Sequence, residues 1–300
     1  MSNKWNLEFV PAQNGRIAIV TGANVGLGFE TAKALAAKGF EVVIAARNLQ
    51  KAEKAIATIE MVHPGAKLKI IPLDLSWLAS VREFAREFSE KYAQLDLLIN
   101  NAGIMMPPYS LTKDGFESQF GTNYLGHFLL TGLLLPTMKE VKNSRVVSLS
   151  SMAHKPGVIQ FNDLNFSKNY NKMKAYSQSK LACLMFGYEL QRKLEKANLP
   201  TLSVAAHPGV SSTNLGRSMS PVLRYFFPKI GQPVEAGALP ILMAALDNSA
   251  KGGEYYGPDG FLEMRGNPTV VGSTSLSKNK EVAEKLWEVS EKLVGFKYSF

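Results

Sequence analysis

The chain has a single cysteine, Cys183, in 300 residues. No intramolecular disulfide can form, which excludes a disulfide-stapled secreted scaffold and makes a reducing, cytoplasmic compartment the expectation. Long apolar runs are also missing. The longest, at 128–135, reads as part of a buried helix, well short of the ~20 residues a membrane span needs. Residues 1–10 are polar and mixed, without a signal-peptide core. No GxSxG nucleophile elbow is present, which argues against a Ser/His/Asp hydrolase. No pair among His154, His207 and Cys183 stands at metal-ligand spacing, so no metal is expected. Cys183 is expected to pack in the core, and His63 and His127 show nothing beyond their type. The formal charge of +9 raises the question of nucleic acid, but the lysines are scattered, with no dense basic run and no zinc-finger spacing. A solvated basic surface is the simpler reading, and a positive field also suits a phosphorylated anionic cofactor.

What is present is an alternation. Short apolar runs at 17–20, 42–46, 68–73, 97–99, 145–149, 202–206 and 254–256 read as strands. Between them, helical spacing covers 27–36, 52–62, 80–92, 116–138, 175–196 and 234–246, and an amphipathic helix at 282–293 closes the chain. Ser80 and Glu83 are spaced as a capping box. Gly121, Gly126 and Gly132 weaken the middle of the 116–138 helix. Apolar strands separated by helices imply an α/β fold, a doubly wound parallel sheet with helices on both faces, and ligands outside the carboxyl ends of the strands. With 300 residues, 46% hydrophobic, the chain suits one domain over 1–300 rather than two. The stretch at 216–233, rich in proline, aromatics and arginine, reads as part of a substrate flap at about 211–233. Its apolar character points to an apolar substrate, leaves a peripheral membrane contact open, and leaves a homo-oligomer open too.

Four places carry chemistry. The first is 21–28, Thr-Gly-Ala-Asn-Val-Gly-Leu-Gly, where Gly22, Gly26 and Gly28 turn the chain from strand to helix. Such a turn brings backbone close to phosphate and aims helix N–H groups at it. The spacing is GxxxGxG, and glycines also make turns with no ligand, so its place after the first strand is what gives it weight. Second, the strand at 42–46 ends in Ala46 and is followed by Arg47, with Lys51 nearby. An acidic residue there would favour NAD, whereas a cation accommodates a 2′-phosphate, so NADP(H) is expected in preference to NAD(H). A solvated loop arginine is the plain alternative. Third, Asn100, Asn101, Ala102 and Gly103 follow the fourth strand, small enough to pass close to a flat ligand or simply to turn. Fourth, Ser150 and Ser151 end the fifth strand, while Tyr176 and Lys180 lie one helical turn apart. An ammonium beside a phenol eases proton exchange by the phenol. A core tyrosine with a snorkelling lysine is the alternative, and the glycine turn argues against it.

Taken in order, TGANVGLG, Asp74 in LDLS, NNAG, Asn123, Ser151, YSQSK and His207-Pro208-Gly209 resemble the short-chain dehydrogenase/reductase family over about residues 17–256. AARNLQKA at 45–52 and SSMAHK at 150–155 are similar to its retinol dehydrogenase-like and protochlorophyllide reductase-like branch. The stretch from Ser151 to Tyr176 is longer than in compact members, as is common in that branch. Membrane-bound retinol dehydrogenases often open with an anchoring helix, and residues 1–10 do not read as one.

The resemblance implies that Tyr176 is the general acid/base, that Lys180 tunes it and binds the nicotinamide ribose, and that Ser151 rather than Ser150 polarises the substrate oxygen. It implies that Asn123 holds a water in a proton relay. For the cofactor it implies Gly22, Asn24, Val25, Gly26, Leu27 and Gly28 at the phosphates, and Asp74 and Leu75 at adenine. Asn101, Ala102 and Gly103 would lie along the dinucleotide, with Pro208, Gly209, Val210 and Thr213 at the carboxamide. The expected activity is interconversion of a carbonyl and an alcohol by hydride transfer. A regulatory protein that binds a dinucleotide without catalysis is the rival; it would need the glycine turn but not Tyr176, Lys180 and Ser151 together.

Overall fold

A computed structural model describes residues 5–211 and 231–300. The strands are β1 (Ile17–Thr21), β2 (Glu41–Ala46), β3 (Leu68–Pro72), β4 (Leu97–Asn100), β5 (Arg145–Leu149), β6 (Leu202–Ala206), β7 (Tyr255–Pro258) and β8 (Pro268–Val270). They form one 8-stranded sheet in the order β3-β2-β1-β4-β5-β6-β7-β8. Every neighbouring pair is parallel except β7 and β8. β8 has no counterpart among the expected strands, because three residues are too few to show an alternating pattern.

The helices are α1 (Gly26–Ala37), α2 (Leu49–Val62), α3 (Leu78–Lys91), α4 (Gly126–Leu134), α5 (Lys172–Lys196), α6 (Val234–Leu246) and α7 (Lys280–Val294). Side chains alternate across each strand, so both faces of the sheet need cover. Ile19, Val43, Leu98 and Val146 pack with α3, α4, α5 and α7 on one face. Val20, Ile44, Ile99 and Val147 pack with α1, α2 and α6 on the other. The winding reverses between β1 and β4, which opens a crevice at their carboxyl ends.

Two local expectations are corrected. Ser80 and Glu83 do not cap α3. The Asp74 carboxylate accepts from the Ser76 N–H at 3.0 Å, which turns the chain early enough for the helix to start at Leu78, whose N–H donates to Asp114 Oδ2 at 2.8 Å. Ser80 Oγ instead accepts the Asp74 N–H at 3.0 Å, and Glu83 pairs with Arg86 at 2.6 Å on an exposed face. The helix expected at 116–138 is in fact a composite. A helical turn at Ser118–Phe120 runs into a π-helical turn at Gly121–Leu125, then α4, then a 3₁₀ turn at Leu135–Thr137. Its glycines permit close packing: a Cβ on Gly132 would lie 2.4 Å from the Phe296 ring.

That contact belongs to an aromatic cluster closed by the end of the chain. Phe128 of α4 meets Trp287 of α7 at 4.9 Å and Tyr298 at 5.0 Å between ring centroids. The Tyr298 hydroxyl donates to the Phe128 carbonyl at 2.6 Å. The flap expected at 211–233 lies outside the described residues, apart from Ser211 and residues 231–233, and Thr213 lies outside them too. The Ser211 and Gln232 backbones pair in a parallel bridge.

Trp287 is fully packed in that cluster. Trp287→Ala is expected to cost about 3–5 kcal/mol, the usual penalty for emptying a large core site. Urea unfolding should show a lower midpoint with little change in slope.

Candidate active site

The glycine turn sits at the carboxyl end of β1. Gly22 and Gly26 both hold left-handed backbone, at φ 68° and 61°. Val25 precedes α1 without any side-chain cap, so the first-turn N–H groups keep no protein side-chain partner. A Cβ on Gly28 would lie 2.4 Å from Asn101 Nδ2 and 2.5 Å from the Gly22 carbonyl. The cradle is therefore as tight as backbone allows, with an uncapped helix terminus beside it. Both features fit a pyrophosphate bound there.

Thr21 joins this turn to the loop after β4. Its Oγ accepts the Asn101 and Ala102 N–H groups, each at 2.9 Å. Asn101 Nδ2 donates to the Thr21 carbonyl at 2.7 Å. His127 of α4 completes the link, with Nδ1 2.9 Å from the Asn123 carbonyl and Nε2 2.9 Å from Thr21 Oγ. A carbonyl can only accept, so Nδ1 carries the proton and Nε2 accepts from the Thr21 hydroxyl. His127 is thus a connector that the motifs do not reveal. Its only signal in the sequence is its position four residues after Asn123 on one helical stretch. Burial pushes its pKa down to about 4, which keeps the ring neutral.

Asn123 occupies the π-helical turn, a distortion frequent at functional sites. Its Oδ1 accepts the Ile104 N–H at 2.8 Å, and its Nδ2 donates to the Ile104 carbonyl and to Ser179 Oγ, both at 3.0 Å. Its backbone carbonyl also takes the Cys183 thiol at 3.2 Å. Cys183 is buried in the core as expected, and burial pushes its thiol pKa up.

Tyr176 and Lys180 lie near the start of α5, with Nζ 5.9 Å from the phenol ring centroid. Lys180 is buried and donates to the Leu149 carbonyl, at the end of β5, at 3.1 Å. A Cβ on Gly103 would stand 3.2 Å from Asn123 Oδ1 and 3.6 Å from Lys180 Nζ. Loop, π-turn and α5 therefore converge on one spot. The two serines differ sharply. Ser150 is buried and donates to the Lys180 carbonyl at 2.8 Å. Ser151 is partly exposed, and its Oγ accepts the Ala153 N–H at 3.2 Å, while its own proton has no acceptor among the described residues.

The remaining expected residues lie along the same edge. Ala46 is buried, whereas Arg47 and Lys51 are exposed and form no side-chain hydrogen bond or ion pair among the described residues. Asn24 and Val25 lie in the glycine turn, and Leu27 in the first turn of α1. Asp74 and Leu75 follow β3; Asp74 Oδ1 is occupied by Ser76. Pro208, Gly209 and Val210 follow β6, and the Val210 N–H donates to the Met264 carbonyl at 2.8 Å. No cluster of three potential metal ligands exists among the described residues.

Residues 16–222 match the family model described as short chain dehydrogenase. The chain is 40% identical to mouse retinol dehydrogenase 12 over 288 residues, covering 95% of this chain and 88% of that protein. An uncharacterized protein from Mycobacterium paratuberculosis, solved by crystallography, is 41% identical with a TM-score of 0.84, covering 99% of this chain and 100% of the other. The Pseudomonas aeruginosa RhlG/NADP active-site complex is 25% identical with a TM-score of 0.64, covering 81% of this chain and 94% of the other. The chain belongs to the short-chain dehydrogenase/reductase family. Within it, the chain falls in the retinol dehydrogenase-like branch. It is therefore an oxidoreductase of a family that binds nicotinamide dinucleotides and acts on small molecules. Among the described residues, no helix is long and apolar enough to cross a membrane.

The unfolded chain protonates His127 near pH 6.5, whereas the folded one resists to about 4. Between those values the unfolded state binds more protons, so stability falls as pH drops through this window and levels off below it. His127→Asn should flatten that part of a melting-temperature profile, leaving the contribution of other buried groups.

Proposed function

We propose that this chain is an NADP(H)-dependent oxidoreductase that interconverts a carbonyl and an alcohol on an apolar small molecule. The observation that carries the reading is the convergence of Tyr176, Lys180, Asn123 and Gly103 at the carboxyl edge of β4 and β5, with a partly exposed Ser151 following β5. A bound nicotinamide dinucleotide supplies or accepts the hydride. Tyr176 gives its phenolic proton to the carbonyl oxygen in reduction and takes it back in oxidation. Ser151, whose hydroxyl proton has no acceptor among the described residues, holds that same oxygen. Lys180 stands beside the phenol as a fixed cation, tethered by the Leu149 carbonyl, and reaches the nicotinamide ribose. Asn123 keeps the 101–104 loop in place and holds a water in the proton relay.

The other cofactor contacts are those that the family resemblance implies. Gly22, Asn24, Val25, Gly26, Leu27 and Gly28 wrap the pyrophosphate. Asp74 and Leu75 flank the adenine, Asn101, Ala102 and Gly103 line the dinucleotide, and Pro208, Gly209, Val210 and Thr213 hold its carboxamide end. The unpaired Arg47 and Lys51, after the buried Ala46, favour a 2′-phosphate, in keeping with the NADP of the Pseudomonas RhlG complex. An apolar substrate agrees with the names of the retinol dehydrogenase relatives. A reducing, cytoplasmic compartment agrees with the lone thiol. A non-catalytic dinucleotide binder has no use for a buried Lys180 aimed past Tyr176, and that placement favours the enzyme.

Tyr176→Phe is expected to lower turnover by about 10²–10⁴, the usual worth of general acid–base help, while the NADPH dissociation constant stays within a few-fold. Wild-type turnover in this variant would overturn the mechanism. Arg47→Asp should raise the KM for NADPH by roughly tenfold or more, as expected for losing a charged hydrogen bond, and leave that for NADH nearly unchanged. Steady-state kinetics with both cofactors checks it; equal effects would overturn the NADP assignment.

A further inference from the structure

The loop between β7 and β8 reaches back across the reaction edge. Within it Leu262 and Glu263 hold left-handed backbone, at φ 50° and 56°. Non-glycine residues in that region are strained, and persist only when their surroundings over-determine them. Here the surroundings are two walls of the site. Glu263 Oε1 accepts from Lys155 Nζ at 3.1 Å. Its Oε2 stands 3.1 Å from His207 Nε2, within ion-pair range although outside hydrogen-bond geometry. The Gly209 N–H donates to His207 Nδ1 at 3.3 Å, so Nδ1 accepts and Nε2 carries the proton facing the carboxylate. The next residue closes the contact: a Cβ on Gly209 would lie 2.4 Å from the Met264 carbonyl.

Each partner leads to a different part of the reaction centre. Lys155 directly follows the 3₁₀ turn Met152–His154, which Ser151 caps. His154 of that turn donates from Nδ1 to the Ser151 carbonyl at 2.7 Å. His207 opens the segment that carries Pro208, Gly209 and Val210. Tyr255 fills the space between, its ring 5.6 Å from His154 and 5.1 Å from His207. The buried Tyr255 hydroxyl and His154 Nε2 have no partner among the described residues. Beyond the backbone bond from the Ser150 N–H to the Ala206 carbonyl at 2.9 Å, Glu263 and its backbone neighbours add a second tie between the two walls.

We propose that Glu263 is a positioning residue that braces the Ser151 turn against the 208–210 segment and so fixes where the substrate oxygen sits relative to the nicotinamide end. The proposal rests on the functional reading given for this site. Glu263 touches neither substrate nor cofactor. Its removal should therefore affect the reacting geometry and spare the adenine end, which is held by the glycine turn and Arg47.

The test uses the full chain with Glu263→Gln and Glu263→Ala. Turnover should fall by about tenfold to a hundredfold, as small misplacements at a reacting centre do. NADPH binding should weaken, while 2′-phospho-ADP-ribose, which lacks nicotinamide, binds as to the wild type. Hydrogen exchange should rise at 151–155 and 207–211 in both variants and stay unchanged at 22–28. Wild-type turnover, unchanged exchange at those two segments, or an equal loss of 2′-phospho-ADP-ribose binding would each overturn the proposal. If the wild type reduces no carbonyl while the exchange pattern appears as expected, the bracing stands and the enzymatic reading falls.

Discussion

The hydrogen bonds around the Thr21 hydroxyl hold the two halves of the sheet in one arrangement. β1 and β4 are neighbours on which the chain winds in opposite directions, and nothing in the ladder itself orients the loops that leave them. Thr21 Oγ accepts two loop N–H groups and gives its proton to His127. The glycine turn, the 101–104 loop and the π-turn thereby share one atom as their reference. Losing that oxygen would leave two partly buried backbone donors without their partner. The convergence of Lys180, Asn123 and Gly103 depends on the same anchor, since Gly103 belongs to the loop that Thr21 holds.

Most of the frame was legible from residue order. β1 to β7 follow apolar runs, and the two-sided cover follows from strands that are apolar on both faces. The corrections arise where a side chain had more than one use. Ser80 and Glu83 fit a capping pattern, but the Asp74–Ser76 turn sets the start of α3 earlier, and Asp114, far along the chain, supplies the acceptor. The helix at 116–138 has continuous apolar spacing, and a single extra residue of π-turn leaves almost no mark on such a pattern. His127 looked ordinary because both of its partners, Thr21 Oγ and a backbone carbonyl, are invisible to motif reading. Glu263 was missed for the same reason: Lys155 and His207 are more than fifty residues distant from it in sequence.

The paired serines show how burial separates roles that sequence leaves joined. Ser150 spends its proton on the Lys180 carbonyl inside α5. Ser151 turns outward and caps a 3₁₀ turn with its oxygen alone. The strand direction alternates the two side chains, so one becomes part of the helix support and the other faces the crevice. Lys180 is held from both ends by the same strand terminus, its carbonyl by Ser150 and its ammonium by Leu149.

The Tyr298–Phe128 bond has a consequence for how the chain assembles during synthesis. Domains emerge amino end first, and the glycine turn at 21–28 is among the earliest parts made. Phe128 of α4 lacks these partners until Trp287 and Tyr298 arrive to stack on it, with Phe300 packing behind them. A nascent chain halted before these residues would present Phe128 and Phe186 to water, a sticky intermediate whose glycine turn is already made but whose aromatic cluster is open.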